Sequence, residues 1–478
     1  MNQPYLRVRI LGVAASLALL GGCASLPTGA PGAVADCAAI FERLDHQIEG
    51  AGLRDGGPRP VAGFPHLRRD RLLASLATDA RSPDELERWL ALLRQQDLEA
   101  RWHELSNLYG APPRHRPWQA IRDCSARLAA HDLASPPRIQ ALRKRSPLAD
   151  DYSLLARSLG IYPLTAPFLK LGIRRYQESV REDYARPAST LDSSGELRLW
   201  APTPASIQAT PPPWSHDALG LPQLEPAQWE TWLDHHAPSF LIETTGEFDR
   251  PGQPRWHADG QLGFDPARPS LYRWMSLTRY RGAVLPQLNY LIWFSRRPAE
   301  GALDPYAGQL DGLIWRVTLD AGGQVLLYDS IHACGCYHYF FPVQELPAPP
   351  RRFWQEAVLQ PQGPVEPGPV VLRLGSGTHY LRRVLPRRAV DQPVYGRLDP
   401  VPYADLRSLP RPDGSRRSLF QPDGIVAGSQ RLERYWLWPS GVPDPGAMRQ
   451  NGRHATAFVG TRHFDDAYLL DQLFPAPP

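Results

Sequence analysis

The sequence predicts an α+β protein: a helical N-terminal part followed by a mostly antiparallel, Pro-interrupted β-rich part. Three observations predict it. Up to residue 184, apolar residues recur at helical spacing behind strong helix-start signals. From Ala185 that periodicity stops, and Pro, Gly and aromatic residues dominate. Beyond about residue 260, short β-branched and aromatic runs alternate with Pro-rich loops.

The helices are read in chain order. Asp36 is placed to cap a helix through Ile48, with Cys37, Phe41, Leu44 and Ile48 on one face. Ser82-Pro83-Asp84-Glu85 has the form of a capping box with Pro at the first helical position, and the helix should run toward Gly110. Another is expected over residues 118–131, carrying Cys124. A last one over residues 167–184 places Leu169, Ile173, Tyr176, Val180 and Tyr184 at helical spacing, with Lys170, Arg174 and Arg175 on its other side. The expected packing is into a core with the charges solvated; lying on a membrane is the alternative.

Strands are expected over residues 270–277, 287–294, 313–319, 324–341, 370–374 and 455–459. The firmest is the hairpin "LIWRVTL-DAGG-QVLLYDSI", in which a short Gly-containing loop joins two β-rich runs. No fixed-period repeat is visible.

Composition narrows the function. Hydrophobic residues at 42% suffice for real cores. The net charge of +4 falls to +2 without Arg7 and Arg9, too balanced for a nucleic-acid binder. Lys occurs only at 144 and 170 among 53 basic residues. That bias is read as GC-rich coding, with anion recognition by guanidinium groups as the functional alternative. Neither a P-loop nor a Gly-x-Gly-x-x-Gly turn is present, so a nucleotide cofactor has no support.

The N-terminus has a basic start (Arg7, Arg9), an apolar run over residues 10–20, and then Leu20-Gly21-Gly22-Cys23. The run is too short to span a bilayer and has the order of a secretory signal. The segment resembles the signal and lipobox of bacterial lipoprotein precursors. The resemblance implies lipidation at Cys23 and a durable membrane anchor. With Ala24 rather than Asp after the Cys, it implies the outer membrane of a Gram-negative cell, facing the periplasm. Protein or envelope partners stay open. The expected organisation is a signal peptide at 1–22, a lipidated tether at 23–36, a helical domain at 37–185, an irregular connection at 186–259, and a β-rich domain at 260–478.

An exported chain favours disulfides. Four Cys remain besides Cys23, and Cys37–Cys124 is the expected N-terminal bridge. Cys334 and Cys336, bonded or free, fall in the stretch "SIHACGCYHYFF" with His332 and His338. Alternation along a straight strand would put all four on one face but spread them over about 20 Å, whereas metal–ligand bonds are about 2.0–2.3 Å. One ion therefore needs a bend, for which Gly335 is the suitable residue. It also needs ligands from elsewhere: His379, His454 and His463, with Asp465 and Asp466 supporting them. Thiolate with imidazole suits Cu, Zn or Fe. Three functions follow: a transition-metal site; a non-catalytic binding or scaffold lipoprotein with an oxidised Cys-Gly-Cys pair; and a Cys-dependent hydrolase using a distant His. Two lesser features are His235-His236 as ligands, and the aromatic cluster in "RYWLWPSGVPDPG", read as core at a loop base or as a glycan or peptide contact.

Overall fold

The computed structural model describes residues 34–148, 150–204, 210–301, 303–347 and 353–475. The signal peptide, the lipobox Cys23 and the tether up to residue 33 lie outside the described residues.

The N-terminal part is helical. Helix α1 (Val34–Gly50) crosses α3 (His115–Leu133), and the longest helix, α2 (Pro83–Tyr109), packs beside them. The capping box forms: Ser82 Oγ accepts from the Glu85 amide at 3.3 Å and Glu85 Oε2 from the Ser82 amide at 2.7 Å. Gly110 ends α2 in the left-handed conformation at φ +72°. Cys37 and Cys124 are bonded with their Cα atoms 5.1 Å apart, inside a cluster with Phe41, Leu44, Ile48 and Ile121. A short helix α4 (Leu154–Leu159) turns through Gly160 into α5 (Tyr162–Ala185), and α6 (Pro226–His235) follows.

The rest is organised by one curled, mostly antiparallel sheet. The main run of its twelve strands is β1 (Glu196–Pro202), β2 (Ser239–Thr244), β3 (Ser270–Tyr280), β4 (Ala283–Arg297), β5 (Gly308–Leu319), β6 (Val325–His332), β7 (Tyr339–Pro342), β8 (Val370–Leu374), β9 (Leu381–Pro386) and β10 (Val394–Pro402). They lie in the order β7-β6-β5-β4-β3-β10-β1-β2-β8-β9. β10 pairs in parallel with both β3 and β1, and β8 with β2; the other neighbours are antiparallel. Residues 186–259, expected as an irregular connection, thus supply three sheet strands, β1, β2 and Pro251–Trp256, which pairs with β4, together with α6. Their pairing partners are distant in sequence, which is why periodicity alone left them unassigned.

Both sheet faces are covered. Phe240, Ile292, Trp315 and Leu372 form the core on one side, and Tyr176, Val180 and Tyr184 of α5 pack on it. Trp293, Ile314, Ile331, Met448 and Phe464 form another. The largely irregular C-terminal segment supplies its last members. Ala455–Val459, expected as a strand, is irregular, with a single bridge from Ala455 to His463. In β6 every residue but Leu326 is buried.

Candidate functional site

The β5–β6 hairpin positions the site. Asp320 Oδ1 accepts from the Gly322 and Gln324 amides at 2.8 and 2.9 Å, which closes its turn. The resulting register sets Arg316 opposite Asp329 and Leu313 opposite His332. Arg316 grips Asp329 with two hydrogen bonds of 2.9 and 2.7 Å, all buried.

β6 does not continue through the Cys pair. It ends at His332, turns over residues 333–338, and returns as β7, which pairs back with Tyr339 opposite Ser330. The straight strand expected over residues 324–341 is therefore a hairpin. The Gly335 amide donates to His332 O at 2.7 Å and the His332 amide to Cys336 O at 3.0 Å. Gly335 has φ +93°, a conformation open to glycine at little cost. The turn is held from outside: the Arg449 amide donates to Ala333 O at 2.9 Å, Arg449 Nε donates to Cys334 O at 3.0 Å, and His454 Nε2 lies 3.1 Å from Ala333 O.

This bend changes which groups meet. Cys334 and Cys336 are both free, and each thiol's strongest electrostatic influence is the other. That influence pulls Cys334 below the ordinary thiol range and pushes Cys336 well above it. The pair thus gives up one proton readily and holds the second. Arg431 and Arg449 favour the thiolate, whereas Glu433 opposes it. Burial pushes Glu433 itself up to about 7, against the pull of Arg431.

The two neighbouring imidazoles are drawn away to different carboxylates. His338 Nε2 lies 2.8 Å from Asp329 Oδ2. His332 Nδ1 lies 3.5 Å from Asp311 Oδ1, and His379 Nδ1 lies 2.8 Å from Asp311 Oδ2. His379 Nε2 is 3.4 Å from Asp249, and its ring stacks on Phe294. Asp311 thus joins His332 to His379, and Arg431 Nη2 donates at 3.2 Å to Oδ1, the oxygen that faces His332. Burial pushes His332 down and also opposes a charge on His379, but the hydrogen bonds from Asp249 and Asp311 raise His379 overall.

Of the other expected ligands, His454 touches the turn, while His463 lies against Asp150 at 3.1 Å. Asp465 pairs with Arg71 at 3.4 Å, and Asp466 Oδ1 accepts from the Tyr468 amide, so neither supports a His of the cluster. His236 stacks on Trp232, at the end of α6. Among the described residues no group of three or more His, Cys, Asp or Glu is disposed to hold a metal ion.

A cleft of about 970 Å³ lies against the turn. Cys336, Tyr337, His338, Tyr380 and Glu433 line it on one side and Tyr176 of α5 on the other. Cys336 is partly exposed there, whereas Cys334 is buried. Tyr380 donates to Tyr337 Oη at 2.8 Å and accepts from Arg297 at 3.1 Å; the Tyr176 and Tyr339 hydroxyls also bond each other. Sequence reasoning missed Asp249, Asp311, Asp329, Glu433, Arg431 and Arg449, none of which carries a local motif. The one available signal was the hairpin register, which sets Asp329 across from Arg316.

The site is a bent dithiol at the wall of an aromatic cleft. No family model matches the chain, and no curated protein or solved structure matches it either.

Proposed function

We propose that this protein is a lipid-anchored, periplasm-facing lipoprotein of the outer membrane whose Cys334–Cys336 pair exchanges thiols and disulfides with a ligand held in the cleft. The observation that supports this reading is the tight turn that sets two free cysteines on either side of Gly335, with Cys336 partly exposed in the cleft. Exposure nominates Cys336 as the attacking sulfur. Its proton passes to the Cys334 thiolate as its sulfur attacks a ligand disulfide; a mixed disulfide forms, and the expelled ligand thiolate takes that proton from Cys334. Cys334, as thiolate, then attacks Cys336 Sγ, which releases the second ligand thiolate and leaves a Cys334–Cys336 disulfide. The ligand gains two electrons and the protein loses two. Run backward, the oxidised pair delivers a disulfide. A ring this small is strained, which favours donating oxidation.

The hydrolase alternative has less support, because no hydrogen bond joins either thiol to an imidazole among the described residues. A second reading is a soft-metal site. His338 is oriented by Asp329 through Nε2, and its buried Nδ1 has no hydrogen-bond partner among the described residues, the arrangement of many metal-ligating imidazoles. It ranks second because no three-ligand group accompanies it.

The mature protein, equilibrated in glutathione buffers of graded potential and trapped with a mass-tagging maleimide, tests the proposal. The expected result is concerted loss of two thiols, with Cys336→Ser abolishing reduction of a peptide disulfide. Two thiols that stay free under excess oxidised glutathione would overturn it. So would stoichiometric copper, zinc or iron retained by the reduced protein, which would establish the metal reading.

A further inference from the structure

Helix α5 is 24 residues long, yet only Ala166 and Gln177 are fully buried in it, and α4 buries none of its residues. This departs from the core packing its spacing suggested. One side of α5 does reach the core through Tyr176, Val180 and Tyr184. Its N-terminal half is apolar on the opposite side too. Leu164, Phe168 and Leu171 recur there at helical spacing and are 66%, 77% and 48% exposed, and Leu155 and Leu159 of α4 are each 69% exposed. A helix that is apolar around its girth, yet open to water, needs something to cover it.

Adjoining segments extend the surface. The short helical segment Arg434–Leu437, continued by the 3-10 turn Trp438–Ser440 of the same loop, adds Trp436, 60% exposed, and Trp438, 40% exposed. It is not the buried loop base that its sequence suggested. The loop is locked to the α4–α5 elbow. A Cβ on Gly160 would come within 2.6 Å of Pro439, and Arg157 donates to Ser440 O at 2.7 Å and to Gly460 O at 2.6 Å. On the other flank, Lys170 donates to Phe353 O at 2.7 Å, with Phe353 and Trp354 exposed beside it. The apolar residues are thus presented by a fixed platform.

The charge is one-sided. Lys170, Arg174 and Arg175 lie among and just after the exposed apolar residues of α5, whereas Glu178, Glu182 and Asp183 all come later, with Arg181 among them. Apolar side chains, tryptophans at the rim and cations on the flank are the chemistry of a helix lying in an anionic membrane interface. Among the described residues no helix is long and apolar enough to cross a membrane, so the contact is with one leaflet.

We propose that the α4–α5 elbow and the Trp436–Trp438 loop form a membrane-docking face that binds an anionic bilayer surface. It stands independently of the thiol chemistry. Phe168 also lines the cleft, so the docked face brings the cleft rim to the leaflet. Lipidation would place this face within reach of a bilayer, but the face has its own affinity.

The test uses the full chain carrying Cys23→Ser, which removes the acyl anchor, mixed with vesicles of phosphatidylethanolamine and phosphatidylglycerol. Flotation is expected for this chain, and the double substitution Leu164→Asp/Phe168→Asp should weaken it about tenfold or more, through lost apolar contact and added negative charge. Both residues are exposed, and an unchanged melting temperature would confirm that the variant folds. Changing Lys170, Arg174 and Arg175 to Ser should remove the preference for phosphatidylglycerol. Equal flotation of parent and double variant would overturn the proposal. So would a parent that stays off the vesicles and forms a dimer that the double substitution dissociates, since that would make the face a contact between copies of this chain.

Discussion

Gly335 lies so close to Ala455 that a Cβ built on it would sit 2.7 Å from the Ala455 carbonyl oxygen. The turn that brings the thiols together is thus moulded against a segment more than a hundred residues away.

Gly335→Ala therefore meets two costs, the left-handed backbone and the clash with Ala455. The expected loss is about 2 kcal/mol or more, read from urea unfolding. Because the turn must open to relieve the clash, the concerted oxidation of Cys334 and Cys336 should also become two independent modifications. Retained stability with intact pairwise oxidation would refute the steric account.

Acid should loosen the same turn. Burial pushes His338 down to about 4 against the opposing pull of Asp329, and burial with Arg449 nearby pushes His454 to about 3. An unfolded His titrates near 6.5. Between pH 6.5 and 4 the unfolded chain takes up protons that the folded chain refuses, so stability falls as pH drops through that window. His379 works in the opposite direction. Its folded value is raised, so its contribution is full below 6.5 and fades as pH rises through that raised value. Glu433, pushed up to about 7, also works in the opposite direction over this window, so the test is the difference between variants: from pH 7 to 4.5 the urea midpoint of His338→Asn should fall less, or rise more, than that of the parent. Parallel pH profiles for the two would count against the His338 assignment.

Glu433 should set the pH response of the thiols. Pushed to about 7, mainly by burial, it gains negative charge near neutrality and then opposes the thiolate. Glu433→Gln removes that charge. Alkylation of the reduced protein at pH 8 should speed up about tenfold for each unit by which the thiol value drops. The inflection near pH 7 should vanish from the rate profile, with Cys336→Ser as the control for which sulfur reacts. An unchanged profile would separate Glu433 from the thiols.

Much of the fold was legible from local chemistry. The Ser82–Glu85 capping box and Gly110 both act within one helical turn, so they could be read directly and they bound α2. The Val370–Leu374 strand and the Asp320–Gly323 turn were equally local. The Cys37–Cys124 bridge followed from two helical Cys in a chain expected to be exported. Harder to read were the elements defined by distant partners. β10 belongs to the sheet through parallel pairing with β3 and β1, and no nearby residue signals it.

The candidate site divides in the same way. By itself, the sequence determined that four reactive side chains crowd one stretch, that a straight strand would hold them too far apart for a single ion, and that Gly335 is the residue that permits a bend. Tertiary structure alone decided what the bend did. It set both thiols on one tight turn, sent His338 to Asp329 and His332 to Asp311, and brought Arg431, Glu433 and Arg449 around the sulfurs. The reason is physical. Backbone preference acts over a few residues and is written locally, whereas the charge and hydrogen bonds that set a thiol's chemistry come from whatever the fold packs beside it.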